Sequence, residues 1–158
     1  MNQEFLKKIR SPFFFKTFLC TKLPLAFVAG VNLDEIDENK SVASIRFRWI
    51  NQNPFKSMYF AAMAMAAELS TGVLALGNIW GVRPSVSMLV NNLKAEYSKK
   101  ATGKITFICE DGNAISQVIK EAIQSGEGKS FTATSTGFNE NKEVVAVFHI
   151  TWSFKAKT

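Results

Sequence analysis

NPFKSMYFAAMAMAAELSTGVLALGNIW, residues Asn53 to Trp80, is the stretch that decides the fold. It predicts one long helix. Asn53 is a good N-cap and Pro54 sits comfortably at a first helical position, with Ser57 as a second possible start. From Met58 onward Ala, Met, Leu and Phe dominate, with Gly72 and Gly77 the only poor helix formers inside. Trp80-Gly81, with Pro84 beyond, reads as the stop. Apolar residues lie nearly all round the helix, which marks it as buried. Ala61, Ala62, Ala64, Ala66 and Ala67 keep it slim, so a neighbouring surface can approach its backbone.

Glu68 is the only acid between Asn53 and Trp80. Helical spacing puts it on one face with Ala61, Met65 and Gly72. A carboxylate there must be paired, be hydrogen-bonded or carry a raised pKa. Two readings are open from the helix alone: an interface Glu held by an amide, a basic side chain or water, and a functional acid.

Working outward, 158 residues predict one domain with a real core, and 47% hydrophobic against 20% charged residues predicts a globular chain. The formal charge of +6 is scattered, which argues against a dedicated nucleic-acid surface and fits attraction for anionic small molecules. Cys20 and Cys109 lack metal or redox spacing and read as free thiols of a reducing, cytoplasmic setting. His149, the only histidine, has no cluster around it, so no metal or catalytic triad is expected.

The N-terminal residues 1–30 read as two amphipathic helices, about 3–9 and 12–20. Their Phe13, Phe14, Phe15 and Phe18 are expected to lie on the body of the protein, with a membrane-skimming or lid segment as the alternative. Lys16 and Lys22 interrupt the apolar run too early for a signal peptide, and no segment is expected to come close to the roughly 20 apolar residues needed to span a bilayer. From Val31 the period becomes two. Strands are expected at Val31–Ile36 and Ser41–Ile50, the latter with Ala43, Ile45, Phe47 and Trp49 on one face. After the helix, Ser85 to Tyr97 is a strand whose apolar phase switches between Val90 and Leu93, which suggests a bulge or a change of partner layer. A strand at 104–110, a one-sided helix at 114–124 and a hairpin of 128–138 with 143–154 complete the chain.

The order of elements, with an Ala-rich helix after a two-strand start, resembles the hotdog fold of acyl-CoA thioesterases. NPFKSMYFAAMAMAAEL is similar in particular to the DUF4442 branch, close to the phenylacetic-acid-type thioesterases. The resemblance covers roughly 31–158, the hotdog domain, with 1–30 as a helical segment packed on it. It implies an α+β fold in which a curved antiparallel sheet wraps a long central helix, with extra N-terminal helices and one extra helix between strands.

The same resemblance implies a site. Glu68 falls where similar thioesterases carry the general base or nucleophile, and the Phe60 N–H where an amide polarises the thioester carbonyl. Asn53 stands where an Asn or Gln orients water or substrate, although a plain N-cap explains it equally well. Tyr59-Phe60-Ala61 replaces the His-Gly-Gly that opens the helix in many of these enzymes. Ser85 and Ser87 flank the position of a helpful Ser in some relatives. Arg83, or Lys99 and Lys100, would meet the phosphates of a CoA-type ligand. The expected activity is hydrolysis of an acyl thioester without a cofactor, by a homodimer or dimer of dimers. The alternative is a hotdog protein that binds an acyl-CoA or lipid-like ligand without turnover, a reading that Tyr59 favours.

Overall fold

The computed structural model describes residues 1–157. Three short helices come first: α1 (Gln3–Ile9), α2 (Pro12–Lys22) and α3 (Pro24–Ala29). The third is not among the expected elements. Pro24 lacks the N–H that would continue α2, yet suits the first position of a new helix, which Gly30 ends in a left-handed conformation. Along α2 the helical spacing turns Phe15 and Leu19 inward and leaves Phe14 and Phe18 partly buried. Phe13 points the other way, 83% exposed, so the four phenylalanines do not all lie on the body.

β1 (Val31–Ile36) and β2 (Ser41–Arg46) form the first hairpin. Ala43 and Ile45 are buried as expected, but β2 stops at Arg46. A single 3-10 turn at Trp49–Asn51 takes over, pinned by the buried Asn51. Its Oδ1 accepts from the Arg48 N–H at 2.8 Å, and its Nδ2 donates to Arg46 O at 2.9 Å and Ala29 O at 3.2 Å. Trp49, expected inward, is consequently 79% exposed.

The long helix is α4, Phe60–Ile79, and it starts later than Asn53 or Ser57. Residues 52–58 close on themselves first. Gln52 bridges to Met58, the Asn53 N–H donates to Ser57 O at 2.8 Å, and Asn53 Oδ1 accepts from the Phe55 N–H at 2.9 Å. Asn53 therefore caps a loop rather than the helix, whose N-cap position Tyr59 occupies. At 20 residues α4 is long and apolar enough to cross a membrane by length and composition, which corrects the expectation that no segment comes close. Here it is the core helix, with 67% of its apolar window buried inside the fold. Its two glycines lie where neighbours press hardest. A Cβ on Gly77 would stand 2.8 Å from Met1 Sδ and 2.9 Å from Phe5 Cδ1, and one on Gly72 would stand 3.1 Å from Trp152 Cζ2. That closeness offsets the roughly 1 kcal/mol of helix propensity each glycine costs relative to alanine.

β3 (Val86–Tyr97), β4 (Lys104–Cys109), α5 (Gly112–Ser125), β5 (Lys129–Phe138) and β6 (Val144–Ala156) follow. The sheet order is β1-β2-β4-β5-β6-β3, with every neighbouring pair antiparallel. α4 packs against the sheet and α5 lies beside it. This is the α+β hotdog arrangement, an antiparallel sheet curved around a central helix with additional helices. The inward residues of the strands, among them Ile105, Phe107, Phe148, Ile150 and Phe154, are fully buried together with Leu74 and Ala66 of α4. The N-terminal helices add Phe5, Leu6, Ile9 and Leu19 to the same core.

β3 is an edge strand, paired only with β6. Its register slips between Val90 and Asn92, so that Val90 stands opposite Trp152 and Leu93 opposite Ile150. The bulge absorbs the phase switch seen in the sequence and keeps both apolar sets on the helix side. Even so, Leu93 and Tyr97 remain 44% and 46% exposed.

Candidate active site

Glu68 lies in the middle of α4 because the helix carries it there in register with Leu69, Gly72, Val73 and Leu76. All five line one cavity of about 170 Å³, open on one side and lined further by Phe18 and Lys22 of α2, Leu23 after it, and Met88 of β3. Among the described residues no side chain hydrogen-bonds or ion-pairs with the Glu68 carboxyl; Lys22 shares the cavity but stays beyond salt-bridge distance. A Cβ on Gly72 would sit 3.2 Å from Glu68 Oε1 and 3.1 Å from the Trp152 ring, so the missing side chain leaves carboxyl and indole close together. The indole is itself fixed, its Nε1–H donating to Thr71 Oγ1 at 2.9 Å. Burial against these apolar groups pushes the Glu68 pKa up from 4.5 to about 7. A carboxyl poised near neutrality can take a proton from water or attack an electrophile at ordinary pH.

The other end of the same face is different. The N–H groups of Ala62 and Met63 both bond to Tyr59 O, whereas those of Phe60 and Ala61 have no acceptor among the described residues. Tyr59 offers no side-chain cap. Uncapped donors at a helix N-terminus suit a developing oxyanion. Phe60 shares a depression of about 350 Å³ with Asn53, Tyr97, Lys99 and Lys100. Asn53 is held there by its own loop, its Nδ2 donating to Ser57 Oγ at 3.1 Å and Met58 O at 3.3 Å. The Tyr59 ring packs edge-to-face on Phe60 at 4.7 Å and lines a separate apolar hollow with Leu25, Ile50 and Met65. Phe60 itself is 55% exposed.

The chain thus brings Asn53, Phe60, Lys99 and Lys100 together but does not bring Glu68 to them. Eight residues of helix separate Phe60 from Glu68, about 12 Å along the axis. Lys99 is engaged by Glu143, while Lys100 has no acidic partner among the described residues. Ser87 is turned away from α4 by the strand alternation, its Oγ donating to Lys155 O at 3.0 Å, and Met88 takes the place facing Glu68. Ser85 and Arg83 lie in a third depression with Lys157. His149 pairs through Nδ1 with Thr134 Oγ1 at 3.2 Å, on the sheet face away from α4. Burial pushes the Cys109 thiol up to about 12, which leaves it inert at neutral pH. Sequence reasoning missed Phe18 and Leu23 as walls of the Glu68 cavity; the Phe-rich run was visible, but which phenylalanine meets α4 depends on how α2 docks.

No curated protein matches the chain. Solved structures share its fold. A Pseudomonas aeruginosa protein of unknown function, described as a probable thioesterase, is 20% identical, covering 93% of this chain and 97% of that one at a TM-score of 0.75. A thioesterase from Haemophilus influenzae is 12% identical, covering 96% and 95% at 0.66. A Staphylococcus aureus thioesterase, solved as variants with a Gln or a Glu replaced by Ala, is 16% identical, covering 84% and 98% at 0.63. At the level of sequence, the family model for a domain of unknown function, DUF4442, matches residues 12–154, and the chain belongs to that family.

Proposed function

We propose that the protein hydrolyses acyl thioesters, with Glu68 as general base or nucleophile and the Phe60 N–H as oxyanion donor. The observation that carries this reading is the unpartnered Glu68 carboxyl in an apolar cavity, its pKa lifted to about 7. An acid half-buried among apolar groups with no side-chain partner is costly to keep ionised, which is the setting a proton-exchanging group needs. The shared fold of the thioesterase structures supports the same reaction class. The Gln and Glu replaced in the Staphylococcus aureus enzyme are fifteen positions apart, the separation of Asn53 from Glu68 in this chain.

As one thioester carbonyl cannot touch two groups about 12 Å apart on one helix, the reading requires two copies of the chain. Pairing along the open β3 edge would satisfy the unpaired strand groups and cover Leu93 and Tyr97. Glu68 of one copy would then work with Phe60 of the other. In that arrangement Asn53 holds the loop that leaves the Phe60 N–H uncapped, and Lys100, rather than the ion-paired Lys99, meets the phosphates of a CoA-type group. Arg83 is a second, more distant candidate for those phosphates. The free thiols of Cys20 and Cys109 fit a cytoplasmic enzyme.

The bulky Tyr59-Phe60 pair at the helix start favours a second reading, ligand binding without turnover. Assaying the wild type and Glu68→Gln over short, long and aryl acyl-CoAs separates the two. Hydrolysis that falls on the order of 100-fold or more in the variant supports catalysis; binding without hydrolysis in both supports the second reading. Hydrolysis at the wild-type rate in the variant removes Glu68 from the chemistry.

A further inference from the structure

The cavity beside Glu68 has a definite size and a wall drawn from the N-terminal segment. Its apolar walls are Leu69, Val73 and Leu76 of α4, Met88 of β3, and Phe18 and Leu23 of the N-terminal segment. Exposed Lys22 and the Glu68 carboxyl supply its polar margin. At about 170 Å³ it is close to the apolar voids of about 150 Å³ that stay dry and admit a benzene-sized guest. A chain of twelve or sixteen carbons is too large to be held wholly within it and would run past its walls into solvent. The wall that sets this limit is not part of the sheet-and-helix frame: Phe18 and Leu23 come from α2 and its end, which lie across α4.

We propose that this cavity is the acyl pocket, and that Phe18 and Leu23 restrict the substrate to acyl groups of about six to eight carbons, linear or cyclic. The proposal rests on the thioester-hydrolase reading. In the reaction Glu68 takes a proton from water as the water oxygen bonds to the acyl carbon. The C–S bond then breaks, and the thiolate leaves and recovers the proton, giving a carboxylic acid and a thiol. A six-carbon acyl group matches the volume of the cavity that Glu68 and Phe18 both line, whereas a longer one must extend past Phe18 and Leu23.

The test compares kcat/KM for butanoyl-, hexanoyl-, phenylacetyl-, dodecanoyl- and hexadecanoyl-CoA in the full-length wild type, Phe18→Ala and Phe18→Leu. The wild type should peak at hexanoyl- or phenylacetyl-CoA and fall on the order of 10-fold or more at dodecanoyl-CoA. Phe18→Ala should raise dodecanoyl turnover relative to hexanoyl by a similar factor, with Phe18→Leu intermediate and serving alone if the Ala variant melts early. A wild-type optimum at hexadecanoyl-CoA overturns the proposal, as does an unchanged profile in a well-folded variant. If no thioester is cleaved, the hydrolase reading fails by itself. The pocket is then tested by calorimetry with non-hydrolysable hexyl and dodecyl thioether analogues of CoA. Preference for hexyl that disappears in Phe18→Ala upholds it, and equal binding of both analogues by the wild type overturns it.

Discussion

The middle and the start of α4 carry opposite chemistry on one helix. Around Glu68 the surroundings are apolar, roofed by α2 and backed by the Trp152 indole, and the carboxyl is held near neutrality. Around Phe60 the surroundings are open and polar, with uncapped N–H groups, the Asn53 amide and the Lys100 ammonium. The first region suits a group that must exchange a proton, since desolvation brings its pKa to the working range. The second suits a group that must meet negative charge, since helix-end donors and lysines favour it without changing protonation state. About 12 Å of helix lies between the half-buried carboxyl and the cationic end of the same chain.

The largest expected effect breaks the comparison by keeping the two regions of different copies apart. Leu93→Glu on the β3 edge should shift light-scattering mass from dimer to monomer and lower hydrolysis on the order of 100-fold. An active monomer would show that one α4 suffices and would overturn the two-copy site.

The second effect reads the Glu68 region through pH. As the base must be ionised, kcat/KM should rise about tenfold per pH unit below 7 and level off above it. A profile that breaks near the ordinary 4.5 would mean that Glu68 is solvated in the working enzyme.

The third concerns stability, and its sign is distinctive. Glu68 has a folded-state pKa above its unfolded value, so the folded protein binds the extra proton between about 4.5 and 7. Its contribution is greatest at the acid side of that window and is lost as pH rises through it. Glu68→Gln should therefore be more stable than wild type at pH 8, by about 1–3 kcal/mol once solvent at the cavity mouth is allowed for, and little different at pH 4.5. Chemical denaturation at the two pH values checks this, and equal differences at both would point to a purely steric effect.

The smallest effect sharpens the wet end. Lys100→Ala should raise KM for an acyl-CoA a few-fold at low salt and less at moderate salt, leaving kcat unchanged. Arg83→Ala should change KM less than Lys100→Ala does; the reverse order would move the phosphate site to the depression of Arg83 and Lys157.

Much of the fold was legible in the chain, for identifiable reasons. The apolar girth of 60–79 and the alternation in β4 and β6 are local consequences of burial, and they survive in the structure. Local signals misled where a tertiary contact competed with them. Asn53-Pro54 is a sound helix start by propensity, yet Met58 and Tyr59 are drawn to Ala101 O and Asn51 O, so the loop closes and the helix begins at Phe60. Trp49 continued the alternation of β2 until the amide of Asn51 found Ala29 O and Arg46 O and turned the chain. Ser87 stands next to the position of a helpful Ser in some relatives, but alternation sends it away from α4 and Met88 toward Glu68.

By itself the sequence determined that one acid would lie in an otherwise apolar helix, since composition and the 3.6-residue period require nothing beyond the chain. Only the tertiary structure decided what that acid would meet. The absence of a side-chain partner for the carboxyl among the described residues, the approach of Trp152 allowed by Gly72, and the place of Phe18 in the cavity wall all depend on elements distant in sequence. Desolvation is a property of the surroundings from every side, so the raised pKa of Glu68 arises only when α2, α4 and β6 come together.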